Sequence, residues 1–132
     1  MITSMCLALA IYYEARSEPI EGQLAVAEVI LNRVESDKYP NDFCDVVYQR
    51  RQFSFTHDGK PERPRHHTWD GIKQMAEDIL DKPDEMLLGL HATHYHANYV
   101  SPQWADDMFY ETTIGNHIFY VMEEKETDPK GS

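Results

Sequence analysis

The feature that most constrains this chain is an apolar run near its start that ends in a carboxylate. Residues 7–13 read LALAIYY and are followed directly by Glu14. The run breaks at Ser17-Glu18-Pro19, because the residue before a proline is disfavoured in the helical region. An amphipathic pattern then resumes and continues through 22–34. A helix that is apolar all round belongs in a core, so we predict a buried helix over 4–16, a corner, and a second helix.

Glu14 is the first candidate for chemistry. Apolar neighbours desolvate a carboxyl group and raise its pKa towards values that suit a general acid. Acid-catalysed cleavage of a glycosidic bond needs such a group, so we predict that Glu14 is the proton donor of a glycan-cleaving enzyme. The alternative is an ordinary glutamate in the last turn of a helix. We predict that Glu18 begins the second helix and is not a catalytic partner, because Pro19 interrupts the helical face.

Later segments add further helices and a small sheet. Their patterns predict a short helix over 43–48, a strand over 52–56 and a helix over 69–80. Two alternating segments, 92–96 and 116–121, are close enough in sequence to pair as antiparallel strands. We expect an α+β domain, mostly helical with a small antiparallel element, over residues 1–122. An acidic, frayed tail is expected over 123–132.

Composition excludes several classes of partner. The net charge of −11 argues against nucleic acid, since phosphate binding needs clustered Lys and Arg. The early apolar run is too short to span a bilayer, and neither Lys nor Arg precedes it, so we expect neither a signal peptide nor a membrane partner. Cys6 and Cys44 have no metal-ligand spacing, which favours two buried thiols over a disulfide.

Several blocks of sequence, taken in order, resemble the spore cortex-lytic, or cell wall hydrolase, family. The leading block covers residues 10–34 and contains YYEARSEPIEGQ. Further blocks follow in the same order at 39–41, 44–49, 52–55, 92–97, 102–105 and 114–120. The resemblance therefore extends from about residue 7 to residue 120, and an ordered set of blocks is more specific than any one of them.

The resemblance implies a lysozyme-like fold and cleavage of peptidoglycan glycan strands. It places the family's acid at Glu14 and implies a lytic transglycosylase, in which the sugar's own 6-hydroxyl attacks C1 and leaves a 1,6-anhydro end. This reaction needs no separate nucleophile, no metal and no cofactor. The same blocks imply a set of substrate-binding residues: Tyr13, Gln52, Ser54, Tyr95 and His117.

Two alternatives stay open from the residues. His94 and His96 would share one face of a strand, and His117 could complete a zinc site, so a zinc-dependent wall amidase or peptidase is the rival enzyme. The chain has no HExxH motif, and alternating polar residues are common in strands. The second alternative is a glycan-binding module that has no catalytic activity. We expect a monomer that acts on the cell wall, as a phage lysin, a virion enzyme or the excised domain of an exported enzyme.

Overall fold

A computed structural model describes residues 2–36, 44, 47 and 67–122 of the chain. Most of the described residues belong to regular elements. These are the helices α1 (Ser4–Ala15), α2 (Ile20–Val34), α3 (Trp69–Asp81) and α4 (Pro83–Met86), the strands β1 (His94–Ala97), β2 (Phe109–Ile114) and β3 (His117–Val121), and a 3₁₀ helix (Gln103–Asp107) before β2. The predicted α+β class, mostly helical with a small antiparallel sheet, is confirmed.

Helix α1 forms the centre of the core. Its buried residues lie on every side of the helix, which explains the unbroken apolar run in the sequence. Thr3 Oγ1 caps the helix by accepting a hydrogen bond from Cys6 N at 3.1 Å, as Ser, Thr, Asp and Asn commonly do. Helices α2 and α3 pack against α1, and Phe119 of β3 closes the same cluster. No helix in the described part of the chain is long and apolar enough to cross a bilayer.

The corner between α1 and α2 is held by hydrogen bonds to its own backbone. Glu18 N donates to Ala15 O at 2.9 Å, which closes the turn after α1. Pro19 then occupies the N-cap position of α2 in extended conformation. Gln23, which is buried, donates from Nε2 to the carbonyls of Glu18 (3.2 Å) and Arg16 (3.4 Å). The corner is therefore fixed to both helices.

The sheet has the strand order β1-β3-β2, and both pairings are antiparallel. The predicted pairing of the first and last strand segments is confirmed, with Tyr95 opposite Phe119 and Ala97 opposite His117. Strand β2 was not predicted. It is an edge strand whose residues are exposed or half-buried, and its register shifts between Tyr110 and Thr112, so it lacks the alternation by which buried strands are recognised.

Cys6 and Cys44 form a disulfide, so the expectation of two buried thiols is wrong. Their Cα atoms are 5.5 Å apart, although the two cysteines are 38 positions apart in sequence. This spacing is typical of a disulfide. Cys6 is fully buried near the start of α1, and Cys44 reaches it only because the chain folds back, which no local pattern predicts.

Three predicted features lie wholly or mostly outside the described residues. Of the short helix over 43–48, only Cys44 and Val47 are described, and both are helical. The predicted strand over 52–56 and the predicted tail over 123–132 lie entirely outside them.

Candidate active site

Glu14 lies in the last turn of α1, next to the buried Tyr12 and Ala15. The glutamate itself is half-buried. It therefore lies at the edge of the core, which agrees with the sequence pattern. The aromatic ring of Tyr12 packs edge-on against Tyr13 and Trp69, with ring centroids 5.1 and 5.4 Å apart. Glu14 therefore lies beside a packed aromatic cluster.

Tyr95 of β1 is brought directly to Glu14. Its hydroxyl donates a hydrogen bond to Glu14 Oε1 at 2.5 Å, across 81 residues of sequence. The bond orients the carboxylate, because a phenol on a packed strand has little freedom to follow a moving partner. Two of the predicted site residues are thus in contact.

His117 of β3 supports the same tyrosine. Its ring centroid lies 4.9 Å from that of Tyr95, and the Phe119 ring lies 5.7 Å from Tyr95 on the same face of the sheet. His117 is only 8% exposed, and its Nδ1 is buried without a hydrogen-bond partner within the described part of the chain. Such an atom is costly to leave unpaired, so the buried Nδ1 marks His117 as an unusual residue beside Tyr95.

Of the remaining predicted site residues, one is placed and two are not described. Tyr13 is half-buried beside Glu14, with its ring against Tyr12. Gln52 and Ser54 lie outside the described residues.

Glu18 lies in the corner before α2, which begins at Ile20 with Pro19 as its N-cap, so Glu18 is not the first residue of that helix as predicted. Its two carboxylate oxygens accept hydrogen bonds from Asn116 N at 2.9 Å and from Asn116 Nδ2 at 3.2 Å. Asn116 lies in the turn between β2 and β3. Glu18 therefore ties the corner after α1 to the sheet. Sequence reasoning identified it as a structural residue but could not identify its distant partner.

The histidines of the zinc alternative lie on two faces of the sheet. His96 packs against Trp104 and Tyr120, with ring centroids 5.7 and 5.2 Å away, and His94 also packs against Trp104. His117 instead faces Tyr95 and the core. The sheet thus separates His117 from the other two. Among the described residues, no three Cys, His, Asp or Glu side chains are grouped closely enough to hold a metal ion.

The pKa of His94 is affected by its burial and by Arg33 of helix α2. Partial burial lowers its pKa below the ordinary value of 6.5, and the Arg33 guanidinium lowers that pKa further. Arg33 also donates from Nε to the carbonyl of Thr93 at 2.5 Å. Helix α2 is therefore bound to the residue that precedes β1, the strand that carries Tyr95.

A second buried carboxylate was missed by the sequence reasoning. Glu28 of α2 is 5% exposed and accepts three backbone hydrogen bonds, from the N–H groups of Leu88 (2.9 Å), Gly89 (3.0 Å) and Leu90 (2.9 Å). The signal was present, because Glu28 interrupts the apolar stretch of residues 24–31 much as Glu14 ends the earlier one.

Comparison with known proteins identifies relatives over most of the chain. The family model described as Cell Wall Hydrolase matches residues 17–120. Glu14 precedes this range, so its role is argued from geometry. The chain is 48% identical over 113 residues to the spore cortex-lytic enzyme of Bacillus subtilis (strain 168), covering 86% of this chain and 35% of that protein. It is also 48% identical over 117 residues to the spore cortex-lytic enzyme of Oceanobacillus iheyensis, covering 86% and 39%. The chain thus spans little more than a third of these curated relatives.

Two solved structures share the fold. The catalytic domain of the germination-specific lytic transglycosylase SleB from Bacillus anthracis is 31% identical, with a TM-score of 0.63, and the match covers 89% of this chain and 92% of that one. The catalytic domain of the Bacillus cereus SleB protein is 30% identical, with a TM-score of 0.62, and the match covers 91% and 92%. The predicted lysozyme-like fold is thereby confirmed.

Proposed function

Since the chain belongs to the cell wall hydrolase family, we propose that it is a lytic transglycosylase that cleaves peptidoglycan glycan strands with Glu14 as general acid and base. The observation that carries the proposal is the contact between Glu14 and Tyr95, which places an oriented carboxylate at the edge of the core. Similarity to the SleB catalytic domain, whose own activity is that of a lytic transglycosylase, supports the same conclusion.

The proposed reaction uses one carboxyl group twice. Protonated Glu14 gives its proton to the bridging oxygen that leaves C1 of N-acetylmuramic acid, and the bond from C1 to that oxygen breaks. The 6-hydroxyl oxygen of the same sugar forms a new bond to C1, and its proton passes to the Glu14 carboxylate. The product is a 1,6-anhydro end, water is not consumed, and Glu14 returns to its starting state.

Glu18 is not available as the second carboxylate of a two-carboxylate hydrolysis. Hydrolases of glycosidic bonds generally need a second carboxylate as nucleophile or base. Glu18 follows Glu14 closely in sequence, but both of its oxygens bind Asn116. An internal hydroxyl nucleophile makes a second carboxylate unnecessary.

The other site residues are proposed to hold the acid and the sugar. Tyr95 keeps Glu14 oriented through the proton-transfer cycle, and His117 supports the tyrosine ring and is proposed to contact the substrate. Tyr13 is proposed to contact a sugar ring beside Glu14. Gln52 and Ser54 stay predictions as substrate-binding residues.

The cell wall is the proposed place of action. Disulfides persist mainly in oxidising compartments outside the cytoplasm, and the bond between Cys6 and Cys44 fits such a place. The expected monomer, and the expected setting as a phage lysin, virion enzyme or excised domain, stay predictions.

Mass spectrometry of a peptidoglycan digest tests the proposal. We expect soluble muropeptides that end in 1,6-anhydro-N-acetylmuramic acid. New reducing ends would instead indicate hydrolysis of the glycan, and freed peptides would indicate an amidase or peptidase. Binding to sacculi without release of soluble fragments would indicate a glycan-binding module. Each of these three outcomes contradicts the proposed reaction.

A further inference from the structure

Glu18 is attached firmly to the end of α1, the helix that carries Glu14. Its N–H donates to Ala15 O at 2.9 Å, and its carbonyl accepts from the buried Gln23 at 3.2 Å. Hydrogen bonds on both sides leave the Glu18 backbone little freedom relative to α1. Its carboxylate therefore projects from a fixed point close to the proposed acid.

The turn between β2 and β3 packs closely against this carboxylate. Glu18 Oε1 and Oε2 accept from the backbone and side-chain nitrogens of Asn116, at 2.9 and 3.2 Å. Gly115 has a φ of +59°, which favours glycine. A Cβ placed on Gly115 would overlap Glu18 Oε1 and would lie 3.1 Å from Pro19 Cδ. The turn needs glycine at this position both for its backbone and for its fit against Glu18.

The same turn is connected to the candidate site by two contacts. His117 follows Asn116 directly and packs against the Tyr95 ring at 4.9 Å. The carbonyl of Asn116 accepts from Asn98 N at 2.8 Å, just beyond the end of β1, the strand that carries Tyr95. The Tyr95 hydroxyl then returns to Glu14. The contacts form a closed ring that runs through Glu14, Glu18, Asn116, His117 and Tyr95.

We infer that Glu18 is a positioning residue, which fixes the turn at Gly115 and Asn116 so that Tyr95 and His117 are held against Glu14. The inference rests on the proposed function, since it assumes that Glu14 is the acid. Glu18 acts through its partners and does not itself touch the reacting atoms. Because the ring of contacts is closed, loosening the turn shifts the Tyr95 hydroxyl relative to the carboxylate that it orients.

The test replaces Glu18 by glutamine and measures turnover of purified peptidoglycan. The Glu18→Gln side chain presents an NH₂ group to a donor of Asn116, so one of the two bonds is lost. We expect kcat to fall by roughly 10-fold to 10²-fold with KM unchanged, as misplacement by about 1 Å typically does. Glu21→Gln is the matched control, because it removes the same charge from an exposed position in the first turn of α2. Its kcat is expected to equal that of the wild type.

A rescue variant separates positioning from a loss of folding. Combining Glu18→Gln with Asn116→Asp lets the glutamine NH₂ donate to the new carboxylate, while its oxygen still accepts from the backbone N–H. Recovery of kcat in this double variant supports the inference. If Glu18→Gln is not folded at the assay temperature, Asn116→Ser, which retains the backbone bond to Glu18, is assayed in its place with the same expected fall in kcat.

Failure of the inference can be told apart from failure of the proposed function. Equal kcat for Glu18→Gln and Glu21→Gln would overturn the positioning role, and so would a loss that merely follows the unfolded fraction. An inactive Glu14→Gln beside a fully active Glu18→Gln leaves the proposed function intact and removes only this inference. Full activity of Glu14→Gln would instead remove the proposed function itself.

Discussion

Glu14 and Glu28 are two carboxylates in similar sequence surroundings that the fold uses differently. Each lies among apolar residues on a helix that packs in the core. Glu28 is almost fully buried, and its oxygens accept three backbone hydrogen bonds from residues 88–90. Glu14 is half-buried at a helix end and faces the hydroxyl of Tyr95. Apolar flanks alone therefore do not identify a catalytic acid.

The difference lies in the donors that each carboxylate faces. The three backbone N–H groups satisfy both carboxylate oxygens of the buried Glu28, so Glu28 acts as an anchor. It holds residues 88–90, while Asn32 of the same helix donates to the carbonyls of Leu90 and Ala92 at 3.1 and 2.8 Å. A phenol hydroxyl instead contacts Glu14, which is half-buried at the edge of the core. Helix α2 thus carries a carboxylate that anchors the fold, and helix α1 carries the carboxylate of the proposed reaction.

The largest expected effect is the loss of turnover when Glu14 is replaced by glutamine. Without an acid, the leaving oxygen is not protonated, and we expect the rate to fall by about 10² to 10⁴. The free energy of unfolding should change little, because the amide fits the same half-buried space. Turnover of purified sacculi and urea denaturation together check both parts. A Glu14→Gln protein with wild-type turnover would contradict the proposed role of Glu14.

Replacing Glu28 by glutamine should give the opposite pattern. The amide NH₂ group would face a backbone N–H in a buried place, which costs about 1 to 3 kcal/mol of unfolding free energy. Turnover of the folded protein should stay close to that of the wild type. Glu77→Gln, at an exposed position on α3, is the control for the loss of one charge. Equal stability of Glu28→Gln and Glu77→Gln would show that Glu28 is not an anchor.

Removing only the Tyr95 hydroxyl should have a smaller effect on turnover. Tyr95→Phe keeps the ring against His117 and Phe119 but loses the bond that orients Glu14. A hydrogen bond typically contributes about 0.5 to 1.5 kcal/mol, so kcat should fall by up to roughly 10-fold. Tyr99→Phe, which changes a tyrosine that is 84% exposed beyond β1, should leave kcat unaltered. Similar turnover for the two variants would mean that the bond to Glu14 is not used in catalysis.

The smallest expected effect is a dependence of stability on pH through His94. Its pKa is lowered in the folded protein by burial and then by Arg33, so the unfolded chain binds the proton more readily. The contribution of His94 to the free energy of unfolding is fully present above its ordinary pKa of 6.5. It is lost as the pH falls from 6.5 towards the lowered pKa of the folded protein. In His94→Gln the acid side of the stability profile should be flatter, as urea midpoints measured from pH 7.5 down to acidic pH would show. An unchanged profile would contradict this assignment.

Most of the helical fold could be predicted from the sequence, because apolar residues recur along a helix with a local periodicity. The ends of α1 and α3 differ from the predicted 4–16 and 69–80 by one residue each. Strand β2 was missed because its edge position leaves both faces without a buried pattern. The disulfide was missed because its cysteines are 38 positions apart, and no local pattern predicts a contact at that separation.

The candidate site could be predicted only in part, for the same physical reason. The apolar neighbours of Glu14 are adjacent in sequence, so its place at the edge of the core was predictable. Its bond to Tyr95 spans 81 residues, and the bond from Glu18 to Asn116 spans 98. Tyr95 and His117 entered the prediction through resemblance to a family, whereas their contact with each other depends on the strand pairing.

Digestion of peptidoglycan in oxygen-18-labelled water tests the proposed reaction most directly. If the sugar's 6-hydroxyl attacks C1 with Glu14 as the only acid and base, the new ends carry no label. Incorporation of one labelled oxygen at C1 for each bond cleaved would show that water attacks, and the single-carboxylate reaction at Glu14 would then be wrong.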